Sequence, residues 1–91
     1  MNKRYQLILC WRHACERSAS ALRILADFEK QYPNAFDYVR LNNLENVNFI
    51  VNRHVNDYPT WIIQDGDKEV KRAQAASSLE NIKYWLKDYL K

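Results

Sequence analysis

The sequence predicts an α/β domain of order β-α-β-α-β-β-α, with a central four-stranded mixed sheet flanked by helices. Three observations carry that expectation. A nearly continuous apolar run from Tyr5 to Trp11 gives way at Glu16 to apolar residues spaced by threes and fours, so a buried strand is followed by an amphipathic helix. A second apolar run starts at Pro59 and meets Asp65-Gly66-Asp67, a hairpin signature. A last helical stripe follows Ser77-Ser78-Leu79-Glu80, which reads as a capping box.

Taken in order, Tyr5, Leu7, Ile8, Leu9, Cys10 and Trp11 form the first strand, apolar on both faces as a buried strand must be. Ala21, Leu22, Leu25, Phe28 and Tyr32 then mark one helical face, with Arg23, Asp27, Glu29, Lys30 and Gln31 on the others, until Pro33 and Asn34 stop the helix. Phe36 to Leu41 alternates as a second strand. Asn42 and Asn43 are expected to cap a shorter helix carrying Leu44, Val47, Ile50 and Val51 and ending between Arg53 and Val55. Pro59 to Gln64 is a third strand, with proline at its first residue. Lys68 to Arg72 returns as a solvated, charged edge. Ser77 should accept from the Glu80 N–H and start a helix that buries Leu79, Ile82, Leu86 and Leu90, with Trp85 and Tyr89 on its flank. A helical crossover makes the first two strands parallel, and the hairpin makes the last two antiparallel.

Composition narrows the function classes. The 91 residues form a single domain, 1–91, around one core, and 47% apolar with 13% aromatic residues suffices to build it. The net charge of +3 suits solubility, but no basic run or nucleic-acid motif accompanies it, so no nucleic-acid partner is expected. No segment approaches the roughly 20 apolar residues that span a bilayer, and the run after Met1-Asn2-Lys3-Arg4 is too short for a signal peptide. The expected location is the cytoplasm, where two cysteines do not form a structural staple, and the protein is expected to be a monomer. Cys10 lies inside the apolar strand and reads as core. The spacing of Cys10, His13, Cys15 and His54 matches no established zinc site, so no metal is expected. His13 reads as a solvated loop histidine. Tyr58, Trp61, Trp85 and Tyr89 read as packing rather than stacking platforms.

Cys15 stands apart because it closes the loop between the first strand and the first helix. A thiolate there meets unpaired backbone N–H groups and the positive end of the helix dipole. Arg12, His13 and Arg17 favour the anion and Glu16 opposes it. Ser18, three residues on, can donate a hydrogen bond to a thiolate but cannot attack a disulfide.

Trp11, the three residues after it and Cys15, together with Ser18, Ile24-Leu25, Tyr32, Leu41-Asn42, Pro59-Thr60, Leu79 and Leu86, resemble the thioredoxin-like superfamily from about Tyr5 to Leu90. The chain lacks the extra N-terminal strand and helix of full thioredoxins. The resemblance implies a thioredoxin fold, a nucleophilic Cys15, Ser18 where the resolving cysteine would stand, and a cis peptide bond at Pro59. It further implies a substrate groove formed by Trp11, Glu16, Arg17, Tyr58 and Thr60, with the Tyr58 backbone pairing to an extended substrate. Several positions depart from the pattern. Ala14 replaces a surface tryptophan, Glu16-Arg17 replace Gly-Pro, Leu9 stands in place of a buried acid, and Ala75-Ala76 stand near a groove glycine. The lost acid and the lost thiol both serve release of the mixed disulfide, whereas Cys15 and Pro59 serve its formation. The expected function is a monothiol thiol–disulfide oxidoreductase acting on a protein or glutathione disulfide, with no cofactor and with glutathione as a candidate external thiol. Two other readings stay open: a redox-inactive peptide-binding module, and a monothiol-glutaredoxin-like protein that binds glutathione or an iron–sulfur cluster. The latter lacks its Cys-Gly-Phe-Ser sequence and Gly-Gly pair.

Overall fold

Alternation of large apolar side chains along the first strand directs Leu7 and Leu9 to one face of a sheet and Ile8 and Cys10 to the other, and two apolar layers form around it. The structure, a computed structural model, describes residues 4–74 and 78–90. Its elements are β1 (Gln6–Trp11), α1 (Glu16–Gln31), β2 (Asp37–Asn42), α2 (Val47–Asn52), β3 (Thr60–Asp65), β4 (Lys68–Ala73) and α3 (Leu79–Trp85), followed by a 3-10 turn at Lys87–Tyr89. The sheet order is β2-β1-β3-β4. β1 runs parallel to β2 and antiparallel to β3, and β3 and β4 form the antiparallel hairpin. Gly66 turns that hairpin at φ 64, in the left-handed region that glycine enters without steric cost. The predicted α/β order and mixed four-stranded sheet are those observed.

One layer joins Leu7, Leu9, Trp61 and Ile63 of the sheet to Ala21, Leu25 and Phe28 of α1 and to Ile82 and Leu86 at the C-terminal end. The other joins Ile8, Cys10 and Ile62 to Ile50 of α2 and Val55. Trp61 is wholly buried and packs as expected, and its indole Nε1 has no partner among the described residues.

Several boundaries and faces differ from the sequence reading. β2 starts one residue late, because the Asp37 N–H is the first to bond β1's flank, at Tyr5 O. Asn42 and Asn43 do not cap α2. The Asn42 side chain instead accepts from the N–H groups of Leu44 and Glu45, forming a turn that delays the helix to Val47. The expected stripe on α2 is therefore mostly solvent-facing: Leu44, Val47 and Val51 are exposed, and only Ile50 is buried. β3 begins at Thr60, one residue after Pro59. Ser77 and the Ala75-Ala76 pair lie outside the described residues. The residue that caps α3 is Ser78, whose Oγ accepts from the Asn81 N–H at 3.1 Å. The helix ends at Trp85, so Leu90 packs from beyond it.

The β4 edge is wired rather than simply solvated. Arg72 makes a bidentate contact with Glu69 and donates to the carbonyls of Arg53 and His54 at the C-terminus of α2. Lys71, one residue back, donates from Nζ to Trp85 O at the end of α3 and lies 5.5 Å over the Trp85 ring. Alternation along β4 thus sends one cation to each face, and each meets the negative end of a helix dipole.

Candidate functional site

The register of the sheet brings two loops together. Cys10 pairs with Thr60 at the end of the β1·β3 ladder, so the loop after β1 and the loop before β3 leave the sheet side by side. The first carries Trp11 to Cys15, the second Asn56 to Pro59. The Tyr58–Pro59 peptide bond is cis. Pro59 and Thr60 are buried, and the Thr60 hydroxyl donates to Asp57 O, tying the second loop to itself.

Ala14 takes φ 54, a left-handed turn that reverses the chain just before the helix. Cys15 follows in extended conformation at φ −135, ψ 115, the N-cap position of α1, and its carbonyl accepts the Ala19 N–H at 2.9 Å. An N-cap side chain faces the N–H groups of the second and third helical residues, here Arg17 and Ser18. As a thiol, Cys15 makes no capping hydrogen bond. As a thiolate it gains the Ser18 N–H first, then the Ser18 hydroxyl, the Arg17 N–H and the Arg12 charge, and these outweigh desolvation and hold its pKa below the ordinary thiol value.

Ser18 is wholly buried on the same α1 face as Ala21, Leu25 and Phe28. Its Oγ accepts the Arg12 N–H at 3.1 Å, which leaves its hydroxyl proton to donate to a Cys15 thiolate. The serine couples loop, helix and nucleophile.

Cys15 is half-buried and lies between two clefts. Trp11, Arg12, His13, Ala14, Glu16, Ala19 and Leu22 wall one of them, which has an apolar floor. Arg12, Arg17, Asn56, Asp57 and Tyr58 wall the other. Of the residues expected in a groove, Trp11 and Glu16 fall on the first side and Arg17 and Tyr58 on the second, while Thr60 lies buried beneath. His13 is exposed, yet its ring stands 4.6 Å from that of Trp11, so it packs rather than floating free. The sequence reading missed Asn56 and Asp57. Their position immediately before Tyr58-Pro59 was the available signal, since a loop that delivers Tyr58 to the cleft brings its neighbours too.

The second cysteine takes no part. Cys10 is wholly buried among Ile8, Ile50, Val55 and Ile62, and burial pushes its thiol up to about 11. Both cysteines are free. Leu9 is also fully buried, packed across from Trp61, which puts an aliphatic chain where the resemblance implies an acid. Among the described residues no cluster of His, Cys, Asp or Glu could hold a metal ion, and no helix is long and apolar enough to cross a membrane.

With this geometry in hand, the likeness to solved structures is specific at the level of fold. A thioredoxin-2 from a malaria parasite, described as a component of the parasite protein secretion machinery, superposes with a TM-score of 0.85 over 97% of this chain and 85% of its own, at 14% identity. A thioredoxin of Fasciola hepatica gives 0.84 over 97% and 83%, and a malarial protein 0.83 over 97% and 99%, both also at 14% identity. No family model and no curated protein matches the sequence. The chain has the thioredoxin fold, with a half-buried cysteine at the N-terminus of its first helix.

Proposed function

We propose that the protein is a monothiol thiol–disulfide oxidoreductase that works through Cys15. The observation that carries this reading is the set of donors around one sulfur: two helix N–H groups and the Ser18 hydroxyl, backed by the Arg12 charge, all favour the thiolate. The thiolate is the nucleophile in disulfide exchange. The Cys15 sulfur attacks one sulfur of a partner disulfide, a new S–S bond forms, the old one breaks, and the second partner sulfur leaves with the electron pair and takes a proton from water. Ser18 stabilises the attacking anion, and its oxygen cannot complete a second exchange. Cys10 is buried on the α2 face and is not a substitute. An external thiol, glutathione being a candidate, therefore attacks the mixed disulfide and returns Cys15 as thiolate.

Asn56, Asp57 and Tyr58 set the second loop beside Cys15, with Pro59 buried behind them, and Trp11, Glu16, Arg17 and Tyr58 flank the partner on its two sides. Turnover of this kind needs a reducing thiol pool, which supports a cytoplasmic location, and the charged, internally bonded β4 edge supports a monomer. The test is alkylation of Cys15 by iodoacetamide across pH, with Cys10 buried as the internal control. The rate should titrate clearly below the ordinary thiol pKa of about 8.5. A Cys15 titrating at or above that value overturns the reading and leaves a groove that binds without redox chemistry.

A further inference from the structure

Every arginine outside the site is engaged by the protein itself. Arg4 pairs with Asp37, Arg40 with Glu29, and Arg53 with Gln64 and Glu69. Arg72 holds Glu69 and two carbonyls, and Arg23 reaches the Ser20 hydroxyl. Arg12 and Arg17 differ. Neither guanidinium makes a hydrogen bond or ion pair among the described residues, both side chains are exposed, and both wall the same cleft as Cys15.

An exposed, unpaired arginine by itself signifies little, since water solvates it well. Arg12 and Arg17 are set apart by where they stand. The Arg12 backbone is anchored to Ser18, and Arg17 sits in the first turn of α1, so both cations are borne on fixed backbone at the cleft that holds Cys15. The cleft between them is closed on the far side by Asn56, Asp57 and Tyr58, which leaves two cations against the single carboxylate of Asp57. Glu16 belongs to the other cleft, with Trp11, Ala19 and Leu22, and Arg12 borders that cleft as well. Arg12 stands where the two clefts meet at Cys15, and Arg17 adds a second cation on the polar side only, so the surplus positive charge lies there.

Building on the thiol–disulfide reading above, we propose that this polar cleft selects disulfides bearing a carboxylate close to the reacting sulfur, with Arg12 and Arg17 as the residues that receive it. The chemistry demands such help more for these partners than for others. An anionic thiolate approaching an anionic disulfide meets like charge, and its negative charge passes to a departing sulfur that already stands beside a carboxylate. Guanidinium groups match carboxylates in both charge and planar geometry, and two of them offset the repulsion during encounter and attack.

The experiment compares rates of Cys15 adduct formation, read by intact-protein mass spectrometry, with three small disulfides: dianionic dithiodiglycolate, neutral bis(2-hydroxyethyl) disulfide and dicationic cystamine. Wild type is set against the double variant Arg12→Gln/Arg17→Gln and against Asp57→Asn. Removing Arg12 also changes how much thiolate is present, but that scales all three rates alike, so the anionic-to-neutral rate ratio isolates recognition. The ratio should fall about three- to tenfold in the double variant, rise in Asp57→Asn, and drift toward the double-variant value in high salt. A second arm uses a peptide disulfide whose cysteine is flanked by Glu or by Gln. A preference in either arm supports the proposal, and the arm in which it is larger tells whether the carboxylate belongs to a small molecule or to a peptide. A ratio unchanged by the double variant in both arms overturns it. Failure of Cys15 to react with any of the disulfides is a different result, and removes the thiol–disulfide reading together with the proposal.

Discussion

Ser18 shows how much one buried hydroxyl can hold in place. It accepts from Arg12, faces the Cys15 sulfur and fills a core position of α1. Ser18→Ala should raise the Cys15 pKa, visible as a shift of the alkylation profile to higher pH, and should cost about 1–2 kcal/mol of stability by orphaning the Arg12 N–H. A profile that does not move would mean the backbone N–H groups act alone. The two thiols also predict opposite pH linkages. The Cys15 pKa is lowered on folding, so its stabilisation is present above the unfolded pKa and is lost as pH falls through the folded value. The Cys10 pKa is raised from 9.0 to about 11, so above pH 9 the unfolded chain loses a proton that the folded chain keeps. Stability then declines toward pH 11, by up to about 1.4 kcal/mol per pH unit from this group. Denaturant titrations of Cys10→Val should show a shallower alkaline decline than wild type.

Elements are joined here by their ends. The C-terminus of α2 forms a Schellman turn, with the Val55 N–H on Ile50 O and the His54 N–H on Val51 O. His54 must take φ 54 to close it, a left-handed conformation that a β-carbon opposes. His54→Gly should therefore stabilise the protein by about 0.5–1 kcal/mol, read as a higher urea midpoint at constant m-value. Arg72 binds the same turn through the carbonyls of residues 53 and 54 while held by Glu69. Arg72→Ala should cost about 2 kcal/mol, more than Lys71→Ala at the end of α3, because it also strands the partly buried Glu69. The Arg72 hydrogen bond lowers the Glu69 pKa, so the stability this network supplies is present above the unfolded value of 4.5 and is lost as pH falls through the lower folded one. Between neutral pH and the acid limb, wild-type stability in denaturant titrations should accordingly fall more steeply than that of a Glu69→Gln variant, which starts less stable and whose network does not titrate.

For the molecule as a whole, two apolar layers on one sheet set the distribution of stability. Leu25→Ala, in the larger layer, should cost about 2–5 kcal/mol, whereas Leu44→Ser and Val51→Ser should each stay within about 0.5 kcal/mol despite comparable hydrophobicity. Chemical denaturation of the three variants checks this. The contrast also locates what could and could not be read in advance. Along α1, apolar residues at threes and fours matched the buried face, because a helix of 16 residues has enough turns for periodicity to dominate. α2 has only 6 residues, and the Asn42 turn shifted its start, so a stripe placed from Leu44 pointed the wrong residues inward.

Chain order, strand polarity, the hairpin at Gly66 and the position of Cys15 at a helix start all follow from local periodicity, turn chemistry and the crossover rule, and these the sequence determined by itself. Long-range pairing decided the rest. Only the Cys10–Thr60 register sets the Asn56–Pro59 loop against Cys15, only the buried face of α1 turns Ser18 into the link between Arg12 and the sulfur, and only the alternation of β4 across the sheet sends Lys71 and Arg72 to different helices. These relations join residues far apart in the chain or depend on which face packing buries. A spacing pattern along one segment carries no information about either.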